Sequence, residues 1–299
     1  MNKSTYKHIL PNLLIISILL SCTILSFYIT KSLIPNFNYR FNPQRALELL
    51  VFQTSAGPRT VGSEAHKVIS EWIASELNLN HWHVEIQEGT YNEKPIRNII
   101  GKLNDGEELI IIGAHYDSRL FADKDPDPAK RTTSVPGAND GASGVAVLLE
   151  LAKVMPRNIN KEIWLVFFDA EDNGSITGWD WIMGSRYFVD QLQRVPSAVI
   201  IIDMIGDKDL NIHPEGNSNP KLTQQIWDTA QQLGYSQFFP EEKYQILDDH
   251  IPFLQKGFSA IDIIDFDYPY WHTAEDTVDK VSGESLQIVG EVLLAWLMK

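Results

Sequence analysis

Cysteine is nearly absent: Cys22 is the single one in 299 residues. That excludes an intrachain disulfide and any cysteine zinc finger, so a bound metal has to be held by His, Asp and Glu. Basic side chains are also short, with 25 Lys and Arg against 39 Asp and Glu, a formal charge of −14. A surface this acidic repels phosphate backbones; it argues against nucleic acid as a partner and favours metal ions, amines and cationic substrates. Glycine and proline are too sparse for a collagen-like or low-complexity chain, and no internal repeat is present. What the chain does have is 44% hydrophobic residues, enough to bury one large core or two small ones.

The N-terminus stands apart. An apolar run at 13–30 follows Lys3 and Lys7 and precedes Lys31. It is long enough to span a bilayer and longer than a signal-peptide core of roughly 7–15 residues. No small-x-small cleavage site follows it. Residues 1–30 are therefore read as an uncleaved, single-pass transmembrane anchor. The rival is a lipoprotein signal, because Leu19-Leu20-Ser21-Cys22 resembles the bacterial lipobox, although apolar sequence continues beyond Cys22. Either way the rest of the chain is expected to be tethered to a membrane, with its domain on the non-cytoplasmic side; the flanking lysines are too even to fix orientation by charge. Residues 31–43 read as a linker and 44–299 as one globular domain.

Within that domain, helical patterns at 46–54, 64–77, 142–154, 184–192, 222–233 and 285–297 alternate with strand-like runs. The runs lie at 82–86, 99–103, 109–114, 163–168, 198–202 and 260–264. Buried apolar strands alternating with amphipathic helices predict an α/β sandwich around a largely parallel central sheet, with strand order left open.

Polar residues collect where these strands end. The strand at 109–114 runs into His115-Tyr116-Asp117-Ser118, and the one at 163–168 into Asp169-Ala170-Glu171-Asp172. The strand at 198–202 ends in Asp203, and the one at 260–264 leads to Asp265 and then Trp271-His272. The carboxyl edge of an open α/β sheet is where ligands sit. Each residue taken alone has a plainer reading. Asp140 precedes a helix and would serve as its N-cap; His115 would be a hydrogen-bonded core histidine, Glu171 and Asp172 solvated acids, Asp203 a turn residue and His272 a loop histidine. Together they are harder to dismiss. Carboxylates forced to one edge raise one another's pKa, and a dication removes that penalty. Carboxylate and imidazole ligands suit zinc. With Asp172 on the metal, Glu171 is placed as a proton carrier.

Five strings carry a resemblance: His115-Tyr116-Asp117-Ser118, the turn Gly137-Ala138-Asn139-Asp140-Gly141-Ala142-Ser143-Gly144, Phe167-Phe168-Asp169-Ala170-Glu171-Asp172, Asp248-Asp249-His250-Ile251-Pro252-Phe253-Leu254 and Trp271-His272-Thr273. In this order they resemble the superfamily of zinc aminopeptidases and glutaminyl cyclases, from about Arg45 to the C-terminus. The resemblance implies a three-layer α/β sandwich of the zinc exopeptidase kind, with a mixed, largely parallel sheet, acting on peptide or protein N-termini. In the aminopeptidase pattern there are two zinc ions: Asp140 bridges them, His115 and Asp203 complete one, and Asp172 and His272 complete the other. In the cyclase pattern Asp140, Asp172 and His272 hold one zinc, and Glu171 moves the proton with help from Asp248 and Asp203.

The neighbouring residues divide. Asp248, Trp271 before His272, a tryptophan after the Glu-Asp pair (Trp179 or Trp181) and Tyr268 are cyclase-like, the aromatics serving as substrate-binding pocket residues; their plainer reading is core packing. Asp172 where cyclases usually carry Glu, Asp262 where they carry His, and the Thr273–Thr277 tail resemble the peptidases. Glutaminyl-peptide cyclotransferase is the preferred reading, a zinc aminopeptidase the alternative, and a non-catalytic membrane-tethered binding domain the third. The stretch at 121–136 reads as a mobile surface loop near the site that could select substrates, with a solvated linker as its plainer reading, and 57–60 reads as a turn. His81, His83, His213 and His250 lack evident partners and are taken as structural.

Overall fold

The computed structural model describes residues 40–299. The apolar run at 13–30, expected as the membrane anchor, lies outside the described residues. Among those described, no helix is long and apolar enough to cross a membrane. Helices α1 (Pro43–Ser55) and α2 (Glu64–Leu79) open the domain. Asn42 and Ser63 cap them, accepting from the amides of Arg45 and His66, and Pro43 occupies the first turn, where a missing N–H is no loss. Phe41 is already buried, so packing begins inside the segment expected to be linker.

Next come β1 (His83–Tyr91), β2 (Lys94–Leu103), β3 (Leu109–His115), α3 (Ala142–Val154), β4 (Glu162–Phe168), α4 (Met183–Gln191) and β5 (Ala198–Asp203). Then follow α5 (Pro220–Leu233), α6 (Ile251–Gln255), β6 (Ala260–Ile264), a 3-10 turn (Val278–Lys280) and α7 (Gly283–Leu297). The sheet order is β1-β2-β4-β3-β5-β6. β3 to β6 run parallel, while β2 pairs antiparallel with both β1 and β4. Every residue of β3, β4, β5 and β6 is buried, because helices cover both faces. Ile110, Ile112, Leu165 and Ile200 pack in the large core with the apolar faces of α1, α3 and α7. Leu109, Ile111, Val166 and Ile201 pack on the other side with Phe188 of α4 and Phe253 of α6. This is the expected three-layer α/β sandwich, with α6 and the 3-10 turn too short to show a sequence period.

Topology fixes where a ligand can sit. From β3 the chain crosses to β4 on one side, then returns past β3 to β5 on the other. The crevice between the carboxyl ends of β3 and β5 is thus a switch point, open to ligands. The outer edge of β6 is closed by the 215–219 segment: Ser218 Oγ accepts the Asp262 amide at 3.0 Å, and the Asn219 amide donates to the Ala260 carbonyl at 2.8 Å.

Glu215 anchors that segment. Its carboxylate accepts the amides of Asn217, Ser218 and Ile246 and the Ser218 hydroxyl, and lies 3.1 Å from His250 Nε2. Burial opposes its ionisation, but the hydrogen bonds from His250 and the amides prevail and hold its pKa at about 2. A carboxyl lowered in the folded state stabilises fully above its unfolded pKa and loses that contribution as pH falls through the folded one. The Glu215→Gln variant should therefore be less stable than wild type at pH 7, by about 1–3 kcal/mol. The gap should close as pH falls from 5 toward 2. Urea unfolding across this range checks it; a gap independent of pH would remove Glu215's charge from the account.

Candidate functional site

His115 ends β3 and Asp203 ends β5, so the two face each other across the switch-point crevice. Asp140 enters between them. It is not the N-cap of α3: that position belongs to Gly141, and no side chain caps the helix. Asp140 Oδ1 instead lies 3.0 Å from His115 Nε2, which is also 3.2 Å from Asp203 Oδ1. Gly141 makes this approach feasible. Its φ is +44°, and a Cβ there would stand 2.6 Å from the His115 carbonyl oxygen.

Asp172 and His272 complete a second group around the same aspartate. His272 Nε2 is 2.7 Å from Asp172 Oδ1 and 3.6 Å from Asp140 Oδ2. The donor atoms of His115, Asp140 and Asp203 lie within 4.8 Å of one another, as do those of Asp140, Asp172 and His272. All five residues are buried. Asp140 Oδ2, Asp172 Oδ2, His115 Nδ1 and His272 Nδ1 have no hydrogen-bond partner. Buried carboxylates and imidazoles are costly when left unpaired, so these orphaned atoms fit a divalent cation. An oxygen and nitrogen donor set of this kind suits zinc. Left to themselves two of the acids resist ionisation, whereas Asp140, against burial, is held below its ordinary value by the neighbouring His115 and His272. Burial pushes Asp172 up to about 6, with Asp140 repelling it, and Asp203 up to about 7.

The acids are held by groups that sequence reasoning passed over. Asp117 accepts the amides of Glu171 (3.0 Å) and Asp172 (3.3 Å). Asp276 accepts the amides of Asn139 (2.8 Å) and Asp140 (3.2 Å). The Asn139 side chain joins the start of α3 to the exit of β5, donating to the Met204 carbonyl and accepting the Gly206 amide. Arg119 donates to the Asp172 carbonyl at 2.7 Å and to both oxygens of Asp123 at 2.8 Å. Arg59, inside the segment read as a turn, is fully buried and donates to the carbonyls of Tyr116, Pro136 and Gly137; desolvation lowers its pKa to about 10. The backbone takes up the remaining strain: Ala170, Met204 and His272, none of them glycine, have φ of +52°, +47° and +56°.

Beside this cluster opens a cavity of about 260 Å³. Glu171, Asp248 and Asp203 reach it, and Trp181, Trp271 and Phe266 form much of its wall. The Trp271 and His272 rings are stacked with centroids 3.8 Å apart, and Trp181 stacks on His272 at 5.9 Å. Two of the aromatic residues expected in the pocket are elsewhere. Trp179 packs beside Ile96, Ala170 and Met183 under the Lys94 ammonium, because the turn at Gly178 sends it away; Trp181 is the tryptophan that lines the wall. Tyr268 is buried behind the wall, and its hydroxyl donates to Asp276 Oδ1 at 2.7 Å. The loop at 121–136 is largely exposed, as expected, but it is also anchored beside the site. The Lys124 amide donates to the His272 carbonyl and Asp125 accepts the Ala274 amide, which tie it to the site.

The profile of Peptidase family M28 matches residues 98–297, which contain every one of these acids and histidines. The chain belongs to peptidase family M28. Among its relatives, a Drosophila melanogaster glutaminyl-peptide cyclotransferase is 25% identical over 78% of this chain and 75% of its own length. Aminopeptidase YwaD of Bacillus subtilis is 28% identical over 63% of this chain, which spans 40% of that protein. Among solved structures, the Tannerella forsythia glutaminyl cyclase superposes with a TM-score of 0.81 at 30% identity, covering 87% of this chain and 99% of that one. A zinc-dependent exopeptidase from Parabacteroides distasonis does so with 0.82, at the same identity and coverage.

In this M28 member Asp117 orients the two acids without facing the cavity. Replacing it by Asn substitutes a donor for one of its two acceptor oxygens and leaves an amide of Glu171 or Asp172 unpaired. Asp117→Asn should weaken zinc binding 10–100-fold, the usual loss when a group supporting a ligand is removed. Competition with a chromophoric chelator measures it, and unchanged affinity would exclude the orienting role.

Proposed function

We propose that this M28 enzyme acts on peptide N-termini as a glutaminyl-peptide cyclotransferase, forming N-terminal pyroglutamate and releasing ammonia. The observation that carries the reading is the cavity: about 260 Å³, with Glu171 and Asp248 facing a wall that includes Trp181, Trp271 and Phe266. That is room for one compact residue, with aromatic surface to exclude the water that would otherwise compete.

Asp140, Asp172 and His272 would hold the zinc. Bound there, the ion supplies Lewis acidity that makes the γ-carbonyl of an N-terminal glutamine a better electrophile. The protein's own groups do the rest. The Trp181 and Trp271 rings confine the glutamine side chain so that it folds back toward its own α-amine, replacing a bimolecular encounter by a held geometry. Glu171 takes the proton from the attacking amine and returns it to the departing ammonia. Burial, with repulsion from Asp248 and Asp172, raises its pKa well above the carboxylate range, which suits a group that must both accept and give a proton. Asp248 and Asp203 assist by hydrogen bonds at the cavity wall. The acidic surface favours a free ammonium terminus. The length of the apolar run at 13–30 is the one feature that supports a membrane tether, and it leaves the side of the membrane open.

One observation favours the aminopeptidase alternative. His115, Asp140 and Asp203 form a second complete donor group sharing Asp140 with the first, as two ions would require. Incubating the protein with Gln-peptides and Leu-peptides separates the readings. Pyroglutamate without chain shortening is the expected product, and free leucine would replace the cyclase by the peptidase. Glu171→Gln should lower kcat by roughly 10²–10⁴-fold in either chemistry; unaltered turnover would exclude Glu171 as the proton carrier.

A further inference from the structure

Behind the cavity wall lies a second group of polar side chains, of which the proposed reaction uses only Asp248, the one that reaches the cavity. Asp248, His250 and Asp262 present donor atoms within 4.8 Å of one another, and all three are buried. His250 is 0% exposed and Asp262 1%. Neither oxygen of Asp262 has a hydrogen-bond partner, and neither does Nδ1 of His250. His250 Nδ1 is 3.9 Å from Asp262 Oδ2. Among the described residues no lysine or arginine comes within ion-pairing distance of this trio, and Asp249 adds another buried carboxylate beside it. Burial and mutual repulsion push Asp248, Asp249 and Asp262 up from the usual carboxylate range, and ionising them around one imidazole costs several kcal/mol per ion unless a positive charge joins them.

The imidazole shows which charge fits. Glu215, kept ionised by its hydrogen bonds, lies 3.1 Å from His250 Nε2. The carboxylate favours the proton on Nε2 and so leaves the lone pair on Nδ1, the nitrogen that faces Asp262. A histidine with one nitrogen backed by a carboxylate and the other free among carboxylates is the usual arrangement of a metal ligand and its support. We propose that Asp248, His250 and Asp262 form a second, buried site for a divalent transition cation of the zinc or manganese class, distinct from the Asp140 centre, with Glu215 orienting the imidazole. Its role is structural. It joins the 244–250 segment to β6, and through Asp248 it fixes one wall of the cavity.

The full-length protein, stripped with a chelator and reloaded with excess Zn²⁺, tests this by metal counting after gel filtration. His250→Gln and Asp262→Asn should each hold one equivalent fewer than wild type. Equal zinc content in wild type and both variants overturns the site. Should a variant fail to fold, crystals of wild type soaked in Zn²⁺ and measured on both sides of the zinc absorption edge decide the matter. An anomalous peak beside His250 Nδ1 and Asp262 supports the site, and none at that position overturns it. A peak here without one at Asp140, Asp172 and His272 would count against the proposed function while leaving this site in place.

Discussion

Carboxylates gathered at one edge of a buried sheet repel one another, and most of the structure around them can be understood as the means of holding them there. Asp140, Asp172 and Asp203 sit with Glu171 around two imidazoles, away from bulk water. Nothing about packing alone would keep such a group together. The restraint is supplied by backbone amides donating to Asp117 and Asp276, by Arg59 and Arg119 donating to carbonyls, and by a side-chain amide linking two loops. These groups add positive partial charge around the acids without occupying their cation-facing oxygens. The result is a set of donors fixed before any cation arrives, which lowers the reorganisation that binding would otherwise require.

The sheet makes this possible by its rigidity. β3 is flanked by β4 and β5 in parallel register, with Ile110 opposite both Ile163 and Ala198, so the ends of three strands are level with one another. Side chains projecting from those ends inherit the precision of the ladder. The connecting loops then need to supply only short corrections. The left-handed residues Ala170, Met204 and His272 are such corrections, each turning the chain immediately beside or at a member of the cluster.

Much of this was legible in the sequence. The helix at 142–154 and the strand at 260–264 have the expected bounds, because Gly141 and Pro156 bracket the one and Ser259 and Asp265 the other. The acids and histidines of the edge were legible because each follows a strand that is apolar throughout. What was not legible depends on contacts between distant loops. Asp117 and Asp276 act through the amides of other segments, and Arg59 through three carbonyls, none of which has a spacing signature. Trp179 and Trp181 are two residues apart beside a turn at Gly178, and their spacing carries no signal of which one reaches the cavity. His250 seemed partnerless because Glu215 lies 35 positions upstream, on a segment without regular structure.

The closure of β6 has a consequence of another kind. A parallel sheet ending in a five-residue apolar strand offers unpaired amides and carbonyls to any extended chain it meets, and is an obvious starting point for self-association. Here Ser218 and Asn219 already engage the Asp262 amide and the Ala260 carbonyl. A short stretch of irregular backbone thereby imitates a seventh strand without offering a new edge, and the strand stays protected against aggregation.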